Sequence, residues 1–462
     1  MNAPPVAAES KNVLLAGVTM GFVVVQLDVT IVNVALQTIG ASFGGSVSGL
    51  QWMVNAYTLV FAALILTAGA LGDRLGAKRV FTAGFAIFGL ASLGCGLSTG
   101  LTLLIASRAL QGVGGAILVP CSLALLNHNF TEDAERDRAV SIWAAGAAVA
   151  LAAGPVVGGV LIASIGWRSI FFVNVPLATL GIWMVWRHSE ETAQSGDRGL
   201  DLPGQFFAVV ALATLAASMI EGGSTLGWAH PLIVSGFGVF VAATAAFVVV
   251  ESKTSSPMLP LQVFQNRTFT AATVIGWIIN VAFYGLIFVL SLFFQRTQKY
   301  NALHTGLAFL PMTGIVLAAN LASGWLMPSR GARLPMLAGQ VLMIGGCAGL
   351  LPGVKAGIPY SHISAQLLLI GAGIGLTVPA MTSALLGTVE KSQSGIASGV
   401  LNAARQAGSV VGVALFGSFI SQKDHMIAGL RTSLIISCAI LVPSCLLALR
   451  IPKDGGEETN RN

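Results

Sequence analysis

The sequence predicts an all-α polytopic membrane protein of fourteen transmembrane helices, built as two parallel six-helix repeats with two helices inserted between them. Three observations predict it. Only 9% of the residues are charged and 55% are hydrophobic, where a soluble chain carries about a quarter charged residues. The apolar residues fall in runs of roughly 20, each long enough to cross a bilayer. Two short patterns also recur at nearly one offset along the chain.

The runs follow in order. The first, about 13–36, succeeds the polar tail "MNAPPVAAESKN"; it is too long for a signal h-region and lacks a cleavage pattern, so it is expected to stay as a helix. Runs at about 51–70 and 79–98 flank the charge-dense "GALGDRLGAKR", and 101–126 carries Arg108 in its first third. The run 138–163 is rich in glycine and holds Pro155, and 169–187 ends the first set of six. Runs 204–220 and 231–250 form the inserted pair. Six more follow at about 269–293, 304–327, 334–352, 363–386, 395–420 and 431–450. The implied organisation is a tail at 1–12, a bundle at 13–187, the insertion at 188–268, a second bundle at 269–450 and a tail at 451–462. Connections are short and leave little room for a soluble domain.

The repeat rests on two pairs. "GALGDRLGAKR" from Gly69 aligns with "GWLMPSRGAR" from Gly324, an offset of 255, and "GPVVGG" from Gly154 aligns with "GSVVG" from Gly408, an offset of 254. Helices 1–6 then match helices 9–14. An even number of spans separates each pair, so the halves point the same way. Parallel repeats suit a transporter that rocks one half against the other about a site near mid-membrane. With both termini cytoplasmic, sixteen of the 24 Lys and Arg fall in cytoplasmic segments and six outside, the bias expected of inner loops. The net charge of +6 therefore reports topology rather than nucleic-acid binding.

Charge inside hydrocarbon costs at least about 2.5–3.5 kcal/mol, so each instance calls for a reason. Among the acids only Asp28 lies well inside an apolar run. Arg108 falls at the same depth, roughly 10–12 Å below the outer surface at about 1.5 Å per residue. A lone buried carboxylate favours its protonated form and a nearby Arg opposes that. A change in their separation would couple proton binding to alternating access; a static bridge between helices is the alternative. Arg405, with Gln406 and Asn402, lies near mid-membrane and reads equally as a binding or a structural group. Asn33, Trp52, Asn55, Tyr57, Gln111, Asn280 and Tyr284 add polar and aromatic points that fit an amphipathic cavity, although each aromatic alone reads as packing. The segment "GAAVALAAGPVVGG" allows close helix approach and a kink at Pro155, suiting either a rocking interface or static packing.

Other classes find little support. The five cysteines lie in apolar runs without metal-site spacing and read as packing residues. No cluster of His, Glu or Cys stands at catalytic spacing, so no enzyme, metal or cofactor is expected beyond protons as the coupling ion. The expected partners are the bilayer and a small amphipathic substrate, and the expected state is a monomer.

Together these motifs resemble the major facilitator superfamily, and within it the fourteen-helix drug:proton antiporter family. "GALGDRLGAKR" looks like the family's cytoplasmic loop signature, with Gly69, Asp73, Arg74, Gly76 and Lys78 in place. "LDVTIVNVALQ" is similar to its first-helix signature, with Gln37 where Pro is usual. "RALQGVGGA" and "GPVVGG" resemble the helix 4 and antiporter helix 5 signatures, and "GWRSIFFVNVP" also resembles the family. The resemblance implies that Asp73 and its basic neighbours form a cytoplasmic gate, that Asp28 and Arg108 couple protons, and that Gly154, Pro155, Gly158 and Gly159 mark export. It implies proton-coupled export of small lipophilic compounds across the cytoplasmic membrane, with proton-coupled movement of a metabolite as the alternative. Helix 10 lacks the second acid of multicationic drug exporters, which leaves monocationic, neutral or anionic amphiphiles.

Overall fold

The computed structural model describes residues 8–192, 201–224, 226–254, 257–355, 357–390, 393–421 and 426–452. Most of both tails, together with Arg198, Lys391, Lys423, His425, Lys453 and Arg461, lies outside them. The helices are α1 Ala8–Phe43, α2 Val47–Leu75, α3 Ala77–Gly96, α4 Leu101–Asn129, α5 Asp133–Ser164, α6 Ser169–His188 and α7 Leu202–Gly222. They continue with α8 Pro231–Lys253, α9 Arg267–Leu292, α10 Ala302–Arg330, α11 Arg333–Leu350, α12 Tyr360–Leu386, α13 Ser394–Phe419 and α14 Met426–Ala448. Thirteen of these spans are long and apolar enough to cross a membrane. The exception is α13, whose apolar run is interrupted by Asn402, Arg405 and Gln406.

Local chemistry sets the boundaries. Ser46, Asp201, Asn266 and Asn301 each accept a backbone N–H at the start of α2, α7, α9 and α10, satisfying donors that have no partner within the helix. Gly76 separates α2 from α3 at φ 95°, a left-handed conformation that favours glycine. Gly331 does the same between α10 and α11 at φ 69°. The two stand at the offset of 255 that aligned the loop sequences.

The halves repeat helix by helix. α1 packs on α5 as α9 packs on α13; α2 pairs with α4 as α10 pairs with α12; α3 contacts α4 and α6 as α11 contacts α12 and α14. Gly154 of α5 approaches Thr30 and Ile31 of α1, and its counterpart Gly408 of α13 approaches the Trp277 backbone of α9. Inserted helices α7 and α8 pair with each other, and α7 lies against α2 and α13. α8 is exposed over most of its length.

Several elements depart from the apolar runs. α1 extends past Leu36 to Phe43, and α2 past Ala70 to Leu75, because helices project beyond the hydrophobic stretch wherever backbone bonds and caps sustain them. α6 is broken at Val173, between a single turn at Ser169–Phe172 and the main segment Asn174–His188. α9 runs on into a π-turn at Phe293–Thr297. The larger hydrophobic core spans the second bundle and continues into Leu27, Ile31, Leu36, Leu50 and Met53 of the first. The second core, around Phe61, Phe81, Phe85 and Leu118, is built from first-bundle residues, with Ala403 of α13 packed against it. The halves thus share a core at the end opposite the Gly76 turn, called here the far end; the Gly76 side is the signature end.

Candidate transport site

Two helices supply the partners of Asp28, and two more brace those partners. Arg108 of α4 donates from Nη1 to Asp28 Oδ2, and both side chains are fully buried. Gln111, one turn on, donates to Asp28 Oδ1 at 2.9 Å and to Ser92 Oγ of α3 at 2.9 Å. Its own carbonyl accepts from Arg108 Nη1 at 2.7 Å. Asn174, at the break in α6, reaches Asp28 Oδ1 at 3.5 Å and Ser92 at 3.3 Å. The Tyr57 ring covers the guanidinium at 4.4 Å. Asp28 and Arg108, expected at one depth, do meet, and their charges offset each other where water is absent. Ser92 and Asn174 were not singled out in the sequence: a serine and an asparagine carry no charge, and the break that aims Asn174 inward leaves no hydropathy signal.

Between the bundles this site borders a small cavity of about 10 Å³ lined by Asn33, Tyr57, Thr58, Arg108, Tyr284 and Ser409, with valines filling the rest. The Tyr57 hydroxyl and both amide atoms of Asn55 are buried without a hydrogen-bond partner. Asn280 is buried and bonds back to its own helix at Gly276. Arg405 and Gln406 are half-buried on α13. Of the other expected cavity residues, Gln111 belongs to the Asp28 cluster. Trp52 is held elsewhere: its indole donates to Glu221 of α7 at 2.8 Å.

The bundles meet closely at the far end. Gln51 of α2 donates to the Val413 and Ala414 carbonyls of α13 at 3.0 and 2.7 Å. Ser291 of α9 donates to the Asn33 carbonyl at 2.5 Å, and Thr313 of α10 to the Ala152 carbonyl at 3.0 Å. Gly159 and Gly306 let α5 and α10 touch backbone to backbone. The glycine signature therefore serves two faces. Gly154 and Gly158 admit α1, while Gly159 and the Pro155 carbonyl face the opposite bundle. The inter-bundle hydrogen bonds of Gln51, Ser291 and Thr313 lie in this half.

The family model described as "Major Facilitator Superfamily" matches residues 18–413. The chain belongs to that superfamily. It is 36% identical over 417 residues to the methylenomycin A resistance protein of Streptomyces coelicolor, covering 90% of this chain and 87% of the relative. It is 34% identical to the multidrug resistance protein Stp of Mycobacterium tuberculosis, covering 87% and 74%. In fold it is similar to a solved D-xylose-proton symporter, with a TM-score of 0.70 at 13% identity and coverage of 96% and 98%. The chain is thus a multi-pass transporter of the major facilitator type.

The superfamily's loop signature has a defined setting here. Three N–H groups at the start of α3 are capped from the segment after α6: Ala77 by Thr192 Oγ1 at 2.7 Å, and Lys78 and Arg79 by the Glu191 carboxylate at 2.9 and 3.2 Å. Lys78 Nζ donates to the Ser189 carbonyl at 2.6 Å, and Arg79 pairs with Glu191 at 3.6 Å. A carboxylate at a helix N-terminus also gains from the helix dipole. Glu191 thus binds the loop to its own bundle. Its role was not visible in the sequence, because more than a hundred residues separate it from the turn it caps.

Proposed function

We propose that this transporter exports small lipophilic compounds by proton antiport, with Asp28 as the proton carrier and Arg108 as the group that displaces its proton. One observation carries the reading: the buried carboxylate is paired on one oxygen to a buried guanidinium and hydrogen-bonded on the other, beside a cavity between the bundles. Parting the Asp28–Arg108 pair favours protonation of the acid, and restoring it expels the proton. The drug- and antibiotic-resistance names of the relatives support export over uptake. We place both termini and the signature end in the cytoplasm of a cytoplasmic membrane, on the charge bias of the loops, and take a monomer as the working unit. The structure then corresponds to a state closed at the outer side, with Gly69, Asp73, Arg74, Gly76 and Lys78 forming the cytoplasmic gate.

The test is counterflow in proteoliposomes. A hypersensitive host expressing the chain is screened against a compound panel, and the compound it tolerates is then followed in vesicles with an imposed ΔpH. Movement of the compound against the proton gradient, lost in Asp28→Asn while the protein stays folded, supports the reading. Transport indifferent to ΔpH, or full activity in Asp28→Asn, removes it.

A further inference from the structure

Two arginines lie well within the transmembrane helices, and their surroundings differ in one respect. Arg108 has a buried carboxylate as its partner. Arg405 has none. It stands eleven residues past Ser394 in the 26-residue α13, about 17 Å along the helix at 1.5 Å per residue, close to mid-span. Its Nε is buried with no hydrogen-bond partner. Its Nη1 reaches only Asn402 Oδ1 on its own helix, at 3.5 Å, and among the described residues it joins no ion pair.

The missing countercharge cannot be supplied by a rearrangement of this bundle. Helices α9 to α14 contain no Asp or Glu at any position. Outside those helices the bundle's acids are Glu390 and Asp424, fifteen and nineteen residues from Arg405 along the chain. In the other bundle both Asp28 oxygens are already engaged, by Arg108 and by Gln111. The groups around Arg405 are neutral. Its stem lies by Gly276, whose Cβ position is 3.4 Å from Arg405 Cγ, and Tyr284 is within electrostatic reach. Tyr284 in turn lines the cavity with Asn33 and Tyr57. The space between the bundles therefore presents one uncompensated positive charge, several neutral polar groups and apolar walls.

We propose that the transported compound is an organic anion: a compact apolar body bearing one carboxylate or comparable oxyanion, which Arg405 receives. This rests on the export reading above and specifies its substrate. A half-buried guanidinium whose Nε is shut from water without a partner is undersatisfied until an anion arrives. Its fork of N–H donors matches a carboxylate in two parallel hydrogen bonds. Tyr57 and Asn55, with unsatisfied polar atoms, supply neutral contacts for the rest of the molecule. Arg405 is then a specificity-determining residue: it discriminates an acid from an uncharged analogue of the same shape.

The full-length protein in nanodiscs of zwitterionic lipid is assayed for binding of matched pairs, each an apolar carboxylic acid and its primary amide, over a panel of ring systems. We expect at least one acid to bind tenfold or more tightly than its amide. Arg405→Gln should abolish that preference and Arg405→Lys should keep part of it, both variants melting within a few degrees of the parent. The lysine variant separates loss of charge from loss of fold. A panel in which no acid is preferred overturns the inference. So does a preference that survives Arg405→Gln, or a site that chloride alone fills and no organic acid enters. Proton-driven export of an uncharged compound, unchanged in Arg405→Gln, would overturn this inference and leave the export reading standing. Acid binding without proton-driven movement would do the reverse.

Discussion

Gly159 of α5 lies against the backbone that opens α10: a methyl group built on it comes within 2.9 Å of the Ala302 carbonyl oxygen and of the Leu303 Cα. Both neighbours are main chain and cannot rotate away. Gly306 completes the contact from the other side, against the Pro155 carbonyl. Gly154, five residues before Gly159 and on another face of α5, meets Thr30 within its own bundle.

The two glycines therefore predict different phenotypes. Overpacking costs about 1–3 kcal/mol, and where it falls decides what is lost. Gly159→Val should leave the bundles folded but disfavour the state closed at the far end, roughly tenfold for each 1.4 kcal/mol. Spin labels on the far ends of α5 and α10, in a variant lacking the native cysteines, should report a longer distance, with reduced transport. Gly154→Val should lower the melting temperature instead. Equal distances in Gly159→Val and the parent would refute the assignment of this contact to gating.

Substitutions at Asp28 should separate stability from coupling. Asp28→Asn keeps one acceptor for Arg108 but removes its countercharge, so it should melt below the parent and above Asp28→Ala while staying folded and losing proton-driven transport. Asp28→Ala leaves a buried guanidinium without a partner and should cost about 3–5 kcal/mol. Gln111→Leu removes the 2.9 Å bond to Asp28 Oδ1 and should cost about 1–3 kcal/mol. Asn174→Leu, whose contacts are 3.5 and 3.3 Å, should cost less. Melting of the purified variants checks the order, and an Asn174 effect exceeding that of Gln111 would overturn it.

How far the sequence was legible depends on the scale of the signal. Hydropathy located the helices because crossing a bilayer demands long apolar runs, and the offset of 255 located the repeat because Gly76 and Gly331 both take the positive φ that favours glycine. Depth alone brought Asp28 to Arg108. What stayed hidden were short-range placements set by tertiary packing: Asn174 turned inward by the break at Val173, Glu191 folded back over α3, and Trp52 directed to Glu221 rather than the cavity. None of these leaves a periodic or compositional trace.

Glu191 gives a prediction for the loop signature. Its two oxygens accept the Lys78 and Arg79 N–H groups, and hydrogen bonds to a charged group contribute about 1.5–3 kcal/mol each at most. Glu191→Ala should therefore destabilise by about 1–3 kcal/mol and Glu191→Gln by less, since the amide oxygen still caps one donor. The Arg79 pair should matter little, because Arg79 is 70% exposed and surface pairs contribute about 0–1 kcal/mol. Arg79→Gln with an unchanged melting temperature, beside a lowered one in Glu191→Ala, would identify the cap as the stabilising element.

A second pair of acids, on the inserted helices, yields the last prediction. Asp201 Oδ1 caps α7 by accepting the Gly204 N–H at 2.8 Å, and Glu251 Oε2, near the end of α8, accepts the Leu259 N–H at 2.9 Å. Their other oxygens, Asp201 Oδ2 and Glu251 Oε1, face each other with no donor between them while both acids are charged. Both point at one face of Gly204, lying 2.6 and 2.8 Å from its Cβ position, and both residues are buried. Two carboxylates at such a distance oppose each other when both are charged. Glu251→Gln removes one charge, and its amide oxygen can keep the Leu259 bond while the NH2 group faces Asp201. It should therefore raise the melting temperature by an amount corresponding to about 1 kcal/mol. Glu251→Ala removes the acceptor of Leu259 altogether and should lower it. If the glutamine and alanine variants are destabilised alike, the facing oxygens do not oppose each other and the pair acts only through its caps.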